Sequence, residues 1–484
     1  MKNIESNLAY HEIDFLLPAQ RFNINFSYIT QKGLPFVREF VLRLVHLAPI
    51  SATQVAAFFG FSRGEVHEAI EDLVDRGELT LTTDGRLTLT EKANGYFTEL
   101  GEVPRLSLLR DSTAHLCFDL ATFSCLGKEN FFDKWKAGLP IKVDNDNASR
   151  SEKLVEKSFQ RQFQKLLQDG LLSKSLMEDE SDLPSIYTVT SVNKIKQLPL
   201  RLSVKFKVSE DGENVERDDF EILGNSDYVH GQISLEIDHL SRPSNLDDIK
   251  NVMIEIGDTE TSKLFEIGSD RINLRYLEDL GKLEKNSQQG RSTFLGPIYS
   301  SANWELVQMH LAPLIKERRQ SKADVGQTPF VWVAPSDPFW GKSSSLQVRF
   351  AEILNNAHTK EKRIYSPAMY LPVQGPDDLR SARQWKREFD PNTEATYGVI
   401  EGFLRGNVEI LHFEGEFVVV IYHVSLPDAY PVSFPIGFVS TERQMVQSVG
   451  GLLKRYLDGN SGFDKPNNCG LLTRFGRGGD QDRR

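Results

Sequence analysis

The residues able to do chemistry in this chain are few and scattered. His412 and His423 sit in two neighbouring apolar segments, Val408–Phe413 and Phe417–Val424. Imidazoles on adjacent strands can share a metal or relay a proton. The competing expectation, and the one preferred, is that each is a hydrogen-bonded core residue. His358-Thr-Lys360 is the one H-x-K in the chain, and position 365, where a partner Asp would fall, is Tyr365. A nuclease centre of a carboxylate followed by Glu-x-Lys would draw on Asp238 and Glu255-Ile-Gly257, but glycine stands where the lysine belongs. The G-x-x-x-x-G-K-[ST], G-x-S-x-G and H-E-x-x-H patterns are absent. No catalytic residue, metal ligand or cofactor is therefore expected. Cys117, Cys125 and Cys469 make no C-x-x-C and no paired framework, which fits a reducing, cytoplasmic setting.

Charge offers a different chemistry. The chain of 484 residues carries a net charge of −11, so any polyanion surface must be local. Residues 360–387 supply it: Lys360, Lys362, Arg363, Arg380, Arg383, Lys386 and Arg387 against Glu361, Asp377 and Asp378. Arg380, Arg383 and Arg387 follow i, i+3, i+7 spacing and share one face of a helix expected over Asp378–Phe389. Tyr365, Tyr370 and Trp385 are interleaved. Arginine forks with aromatics suit phosphate contact and base stacking; the alternative is a solvated face with Trp385 in the core. Lys316, Arg318, Arg319 and Lys322 could extend this patch or end a solvated helix.

The elements that must carry these groups begin with three helices. Pro35 opens the first, over 35–48; Ser51 caps the second, closed by Gly60; Ser62 caps the third, whose apolar set is Val66, Ala69, Ile70, Leu73 and Val74. Leu79-Thr-Leu-Thr and Leu87-Thr-Leu-Thr then alternate at period two around Thr83-Asp84-Gly85-Arg86, a hairpin signal that requires positive φ at Gly85. Residues 35–100 resemble the winged-helix superfamily of helix-turn-helix domains. That resemblance implies a third helix able to enter the major groove, with contact through Arg63, His67 and the wing residue Arg86. The third helix, however, holds Glu65, Glu68, Glu71, Asp72 and Asp75 against Arg63 and Arg76, and an acidic helix is repelled by DNA. Protein pairing or plain packing is the favoured use.

Further along, a strand is expected over Leu116–Phe123 and a helix over 151–168. Leu200–Val208 is the cleanest alternating strand, and Ile233–Ile237 and Val252–Ile256 are strand candidates. From about 290, strands and helices alternate: strands over Thr328–Ala334 and Val432–Val439 and the two His-bearing segments, helices over Ser345–Ala357 and Glu394–Arg405. A last helix is opened by the capping box Thr441-Glu-Arg-Gln444. The segment from Arg405-Gly-Asn through Ile436-Gly-Phe-Val-Ser-Thr is similar to the phospholipase D-like superfamily, as is Tyr299-Ser-Ser-Ala-Asn-Trp304. That likeness implies a nucleophilic His and a Lys at positions this sequence leaves empty.

The expected architecture is α+β and multidomain: an arm over 1–34, a winged helix over 35–104, a mixed α+β middle domain over 105–289, a C-terminal α/β layer domain over 290–458 and a flexible tail over 459–484. No signal peptide or membrane span is expected. The expected role is a non-enzymatic bacterial protein, nucleic-acid-associated or complex-forming. DNA and other protein subunits are the expected partners, and an accessory place in an antiviral defence system follows by analogy of architecture. The alternatives are a divergent phospholipase D-like phosphodiesterase and a protein scaffold.

Overall fold

In a computed structural model of the chain, the structure describes residues 7–100, 102–128, 135–177, 183–209, 212, 214–265, 271–287, 290–321, 326–459 and 466–475. The chain is mixed α and β. Its elements are β1 (Leu8–Gly33), α1 (Phe36–Leu47), α2 (Ala52–Phe59), α3 (Arg63–Asp75), β2 (Leu79–Leu81), β3 (Leu87–Leu89), α4 (Glu91–Asn94), β4 (Arg105–Asp119), β5 (Cys125–Gly127), β6 (Leu139–Pro140), α5 (Asn145–Ser149), α6 (Ser151–Gln168), β7 (Ser185–Val208), β8 (Val215–Arg217), α7 (Asp227–Leu240), α8 (Leu246–Ile256), α9 (Thr259–Ser262), α10 (Leu274–Ser287), β9 (Arg291–Leu295), α11 (Ser301–Gln320), β10 (Pro329–Val333), α12 (Ser344–Asn356), β11 (Ser366–Val373), α13 (Leu379–Glu388), β12 (Thr396–Ile400), β13 (Val408–Phe413), β14 (Phe417–Val424), β15 (Phe434–Ser440), α14 (Arg443–Asp458) and β16 (Asn468–Leu471). Contacts divide them into two compact units, and the division falls within β1, after Pro18, and within β7, after Leu198. Among the described residues no helix is long and apolar enough to cross a membrane.

One unit holds residues 19–130 and 145–198. In it α1, α2, α3 and the β2–β3 hairpin close over a core that includes Val41, Leu42, Val55, Val66, Ile70 and Leu73. Ser51 and Ser62 each form a reciprocal capping box, with Gln54 and Glu65, so the orphan amides of both helices are satisfied as their spacing requires. Gly60 ends α2 in the left-handed region, and Gly85 sits at φ 75° in the hairpin turn. Arg38 forks onto the buried Glu78, which also accepts from the Tyr96 hydroxyl. Outside this core β1 and β4 pair antiparallel from Ala19↔Asp119 to Gly33↔Arg105, and Phe26 packs on Phe159 and Phe163 of α6.

The other unit holds residues 1–18, 131–144 and 199–484. Its eight-stranded sheet has the order β16-β12-β11-β10-β13-β14-β15-β9. β10, β11 and β12 are parallel; the remaining pairs are antiparallel. Every residue of β13, β14 and β15 is buried, because helices cover this part of the sheet. Trp304 and Leu311 of α11 and Phe350 of α12 join Trp332, Leu411 and Val419 in one core. α8 and α14 both pack on β14.

Several elements differ from the expectation. Within the expected arm over 1–34, residues 8–33 form one long strand, and Phe22, Ile24, Phe26 and Tyr28 alternate into the core. Ile233–Ile237 and Val252–Ile256 lie in α7 and α8. Their β-branched residues suggest strands, but burial falls on Val229, Ile233 and Ile237, a four-residue spacing that is helical. Glu394–Arg405 is not a helix: Thr396–Ile400 is β12, held between β11 and β16, so sheet pairing overrides local propensity. Thr441 does not cap α14. Its hydroxyl donates to the Gly290 carbonyl, and the helix starts at Arg443. Within the expected tail, β16 pairs with β12.

Candidate functional site at the reversal of the sheet

The order of the eight-stranded sheet reverses after β12. The chain must pass the carboxyl ends of β11 and β10 to enter β13 on the far side, a span of roughly 14 Å at three strand spacings. Residues 401–407 make that passage. Clefts of open α/β sheets lie where the strand order reverses, outside the carboxyl ends of the strands. The passage is bent by positive φ at Gly402 (109°), Leu404 (45°), Arg405 (60°) and Gly406 (75°). It is pinned by the Ser336 amide, which donates to the Gly406 carbonyl at 2.8 Å.

Four side chains converge beneath this passage. Asp337 follows β10, Glu409 lies in β13, His423 is the penultimate residue of β14 and Ser433 precedes β15. His423 Nδ1 is 3.0 Å from Asp337 Oδ2, and Nε2 is 3.0 Å from Glu409 Oε2. The Ser433 hydroxyl donates to Asp337 at 2.6 Å, and the Trp332 indole donates to Glu409 at 2.7 Å. Burial opposes a charge on His423, but the hydrogen bonds to Asp337 and Glu409 outweigh it and raise its pKa to about 9. Asp337 is held below the usual carboxylate value: its burial opposes the shift, and the His423 hydrogen bond overcomes it. His11, also buried, lies within electrostatic reach of both; desolvation lowers it to about 4 and keeps it neutral. His423 is thus a cation between two carboxylates.

With both ring nitrogens engaged, His423 is not placed as a general base. Both ring nitrogens of His423 donate, so neither can take a proton from a nucleophile, and Ser433 donates to the carboxylate rather than to the imidazole. His412 does not join it. Its Nε2 lies 3.1 Å from the Val446 carbonyl, and the β13–β14 register sets it opposite Val418, five residues from His423. Among the described residues no group of three or more His, Cys, Asp or Glu could hold a metal ion. Above Asp337 and His423 opens a cleft of about 230 Å³, rimmed by Arg242, Asn245, Asp248 and Arg405.

The basic residues singled out from the sequence lie elsewhere. Arg380, Arg383 and Arg387 are exposed on α13, while Lys386 is half-buried. Lys360 and Arg363 are exposed in a turn before β11, where half-buried Lys362 donates to the Ser321 carbonyl. In the chain this turn precedes β11 and α13 follows it. The interleaved aromatics are structural, not stacking platforms. Tyr365 and Tyr370 are buried, and the Trp385 indole donates to the Pro372 carbonyl. Arg318 pairs with Glu416 and Arg319 donates to Asn356; Lys322 lies outside the described residues. In the other unit Arg63 is exposed at the start of α3, and Arg86 is exposed beside Asp84 at 3.4 Å.

The sequence alone does not single out Asp337, Glu409 or Arg405. Asp337 and Glu409 carry no local signal, being 72 residues apart and joined only by the sheet. Gly402 and Gly406, bracketing Arg405, were the legible hint of a tight passage. Neither the known protein-family models nor the curated proteins include a match to this chain.

Proposed function

We propose that this protein is a non-enzymatic, nucleic-acid-associated component of a larger assembly, and that it contacts phosphates through α13. What supports this reading is one face of α13. Arg380, Arg383 and Arg387 are all exposed there, and none makes an ion pair among the described residues. By contrast, Glu65, Glu68, Glu71, Asp72 and Asp75 are all exposed on α3, so the helix expected to read DNA presents the wrong sign. Three outward guanidiniums on one helix face repel one another, and a bound phosphate would relieve that repulsion with matching fork geometry. The test is binding of labelled duplex and single-stranded DNA across a salt series. An Arg380→Glu, Arg383→Glu, Arg387→Glu triple variant should weaken binding to every sequence, while Arg63→Ala should change it less than twofold. Normal binding by the triple variant together with loss in Arg63→Ala would reverse the assignment.

A second reading concerns residues 35–100 alone, as a protein-pairing module. It is favoured by exposed apolar side chains where a DNA reader would carry polar ones: Phe58 on α2 is 66% exposed and Leu81 on the hairpin is 61% exposed. Phe58→Ser and Leu81→Ser should leave DNA binding intact and weaken capture of a partner protein.

A further inference from the structure

We infer that the cleft at the sheet reversal is a binding site for a small phosphorylated sugar or polyol, with Arg405 taking the phosphate and Asp337 a hydroxyl. Arg405 is the first ground. It and Leu404 are consecutive non-glycine residues in the left-handed region, a conformation costly for any side chain with a Cβ. Leu404 is buried, so packing accounts for its identity. Packing does not account for Arg405, whose side chain is 42% exposed. Its ion contacts are long, 3.5 Å from Nε to Asp248 and 3.8 Å from Nη1 to Glu255. A glycine here would remove the strain, so the guanidinium at the cleft rim is what the strain retains.

Asp337 is the second ground, and it lies on the cleft wall opposite in sign. A carboxylate offers about four acceptor directions. Oδ2 accepts from His423 and Ser433, and Oδ1 accepts from the Phe339 amide at 3.2 Å. One direction on Oδ1 is left, on a side chain that lines the cleft and is 8% exposed. A cation at the rim and an unfilled acceptor within call for a ligand with an anionic end and a hydroxyl. Asp248 and Glu255 compete for Arg405, so the anion must outweigh a carboxylate. A phosphate monoester, with about −1.5 to −2 charges near pH 7, does so. At about 230 Å³ the cleft is below the 300–1,000 Å³ of drug-sized sites, which favours a sugar phosphate over a nucleotide.

Calorimetric titration of the full-length protein with ribose 5-phosphate, inorganic phosphate and ribose tests this. Ribose 5-phosphate should bind most tightly, inorganic phosphate more weakly, and ribose not measurably. Arg405→Ala should weaken both phosphates at least tenfold, and Arg405→Lys should recover only part, because a point charge replaces a fork. Asp337→Asn, if folded by circular dichroism, should weaken ribose 5-phosphate and leave inorganic phosphate unchanged; if it does not fold, the Arg405 variants decide. The α13 triple variant should bind ribose 5-phosphate normally, which separates this site from the nucleic-acid reading. No heat with ribose 5-phosphate at millimolar concentration, unchanged binding in Arg405→Ala, or loss in the α13 variant would each overturn the inference.

Discussion

His423 donates both ring protons to buried carboxylates, and the energetics of that triad follow from its burial. Each ion alone would be costly in the interior; together they are offset by their mutual attraction and by the Trp332 and Ser433 hydrogen bonds. His423→Ala would leave Asp337 and Glu409 as unpaired buried charges, and should cost about 3–5 kcal/mol in denaturant unfolding. The pH dependence has two limbs. His423, raised to about 9 from 6.5, contributes stability that is complete below pH 6.5 and is lost as pH rises through 9. His11, lowered to about 4, stays neutral while the unfolded chain protonates, so stability also falls as pH drops from 6.5 towards 4. Asp337, held low, adds to the acid limb below its ordinary value of 3.8. Thermal unfolding should therefore peak near pH 6.5. His423→Gln should flatten the alkaline limb and His11→Gln the acid one; an alkaline limb that persists in His423→Gln would assign it to another group. Arg405 sits on the other side of the balance. Arg405→Gly removes left-handed strain of about 1–2 kcal/mol but adds about 0.5–1 kcal/mol of unfolded-state entropy, so it should raise stability by up to about 1.5 kcal/mol.

At the scale of elements, legibility in the sequence tracked how local the deciding interaction was. β13 and β14 were legible to the residue, since strands covered on both faces become largely apolar segments, here interrupted only by Glu409, His412 and His423, and turns bound them. α2 and α3 were equally legible through their serine caps. β12 was not, because Thr396–Ile400 is a strand only through its neighbours β11 and β16. α7 and α8 read as strands by residue type, because valine and isoleucine are β-branched, whereas the spacing of their buried residues is helical. The candidate site was least legible, since its members come from four strand ends that only the sheet assembles. Two glycines show the difference in physical terms. A Cβ on Gly437 in β15 would meet the Val420 carbonyl oxygen at 2.5 Å and Phe294 Cζ at 2.8 Å, in a buried strand with neighbours on both sides. A Cβ on Gly85 would meet nothing, and only its φ of 75° resists substitution. Gly437→Ala should cost about 2–3 kcal/mol by overpacking, and Gly85→Ala about 1 kcal/mol by strain alone. Equal costs in chemical denaturation would mean that β15 can yield.

For the whole molecule the governing quantity is the net charge of −11 around a local basic face on α13. A nucleic acid approaching α13 feels both, and salt selects between them. At about 0.01 M ionic strength the screening length is roughly 30 Å, so distant carboxylates still repel the phosphates. At about 0.1 M it is roughly 10 Å, and only charges near the contact count. Release of counterions from three arginine contacts alone would give a log–log salt slope of about −2.7 on duplex DNA. Added salt weakens those contacts but also screens the repulsion, and the two effects oppose each other most at low salt. The measured slope should therefore be shallower than about −2.7 below 0.05 M and approach it above 0.1 M. A slope steeper than this across the whole range would require phosphate contacts beyond Arg380, Arg383 and Arg387. The exposed turn with Lys360 and Arg363 would be the first place to look, because it holds the other exposed basic side chains of the 360–387 stretch. A Lys360→Glu, Arg363→Glu variant should leave the slope unchanged if α13 alone holds the phosphates, and should flatten it by roughly 1.8 if both residues are contacts.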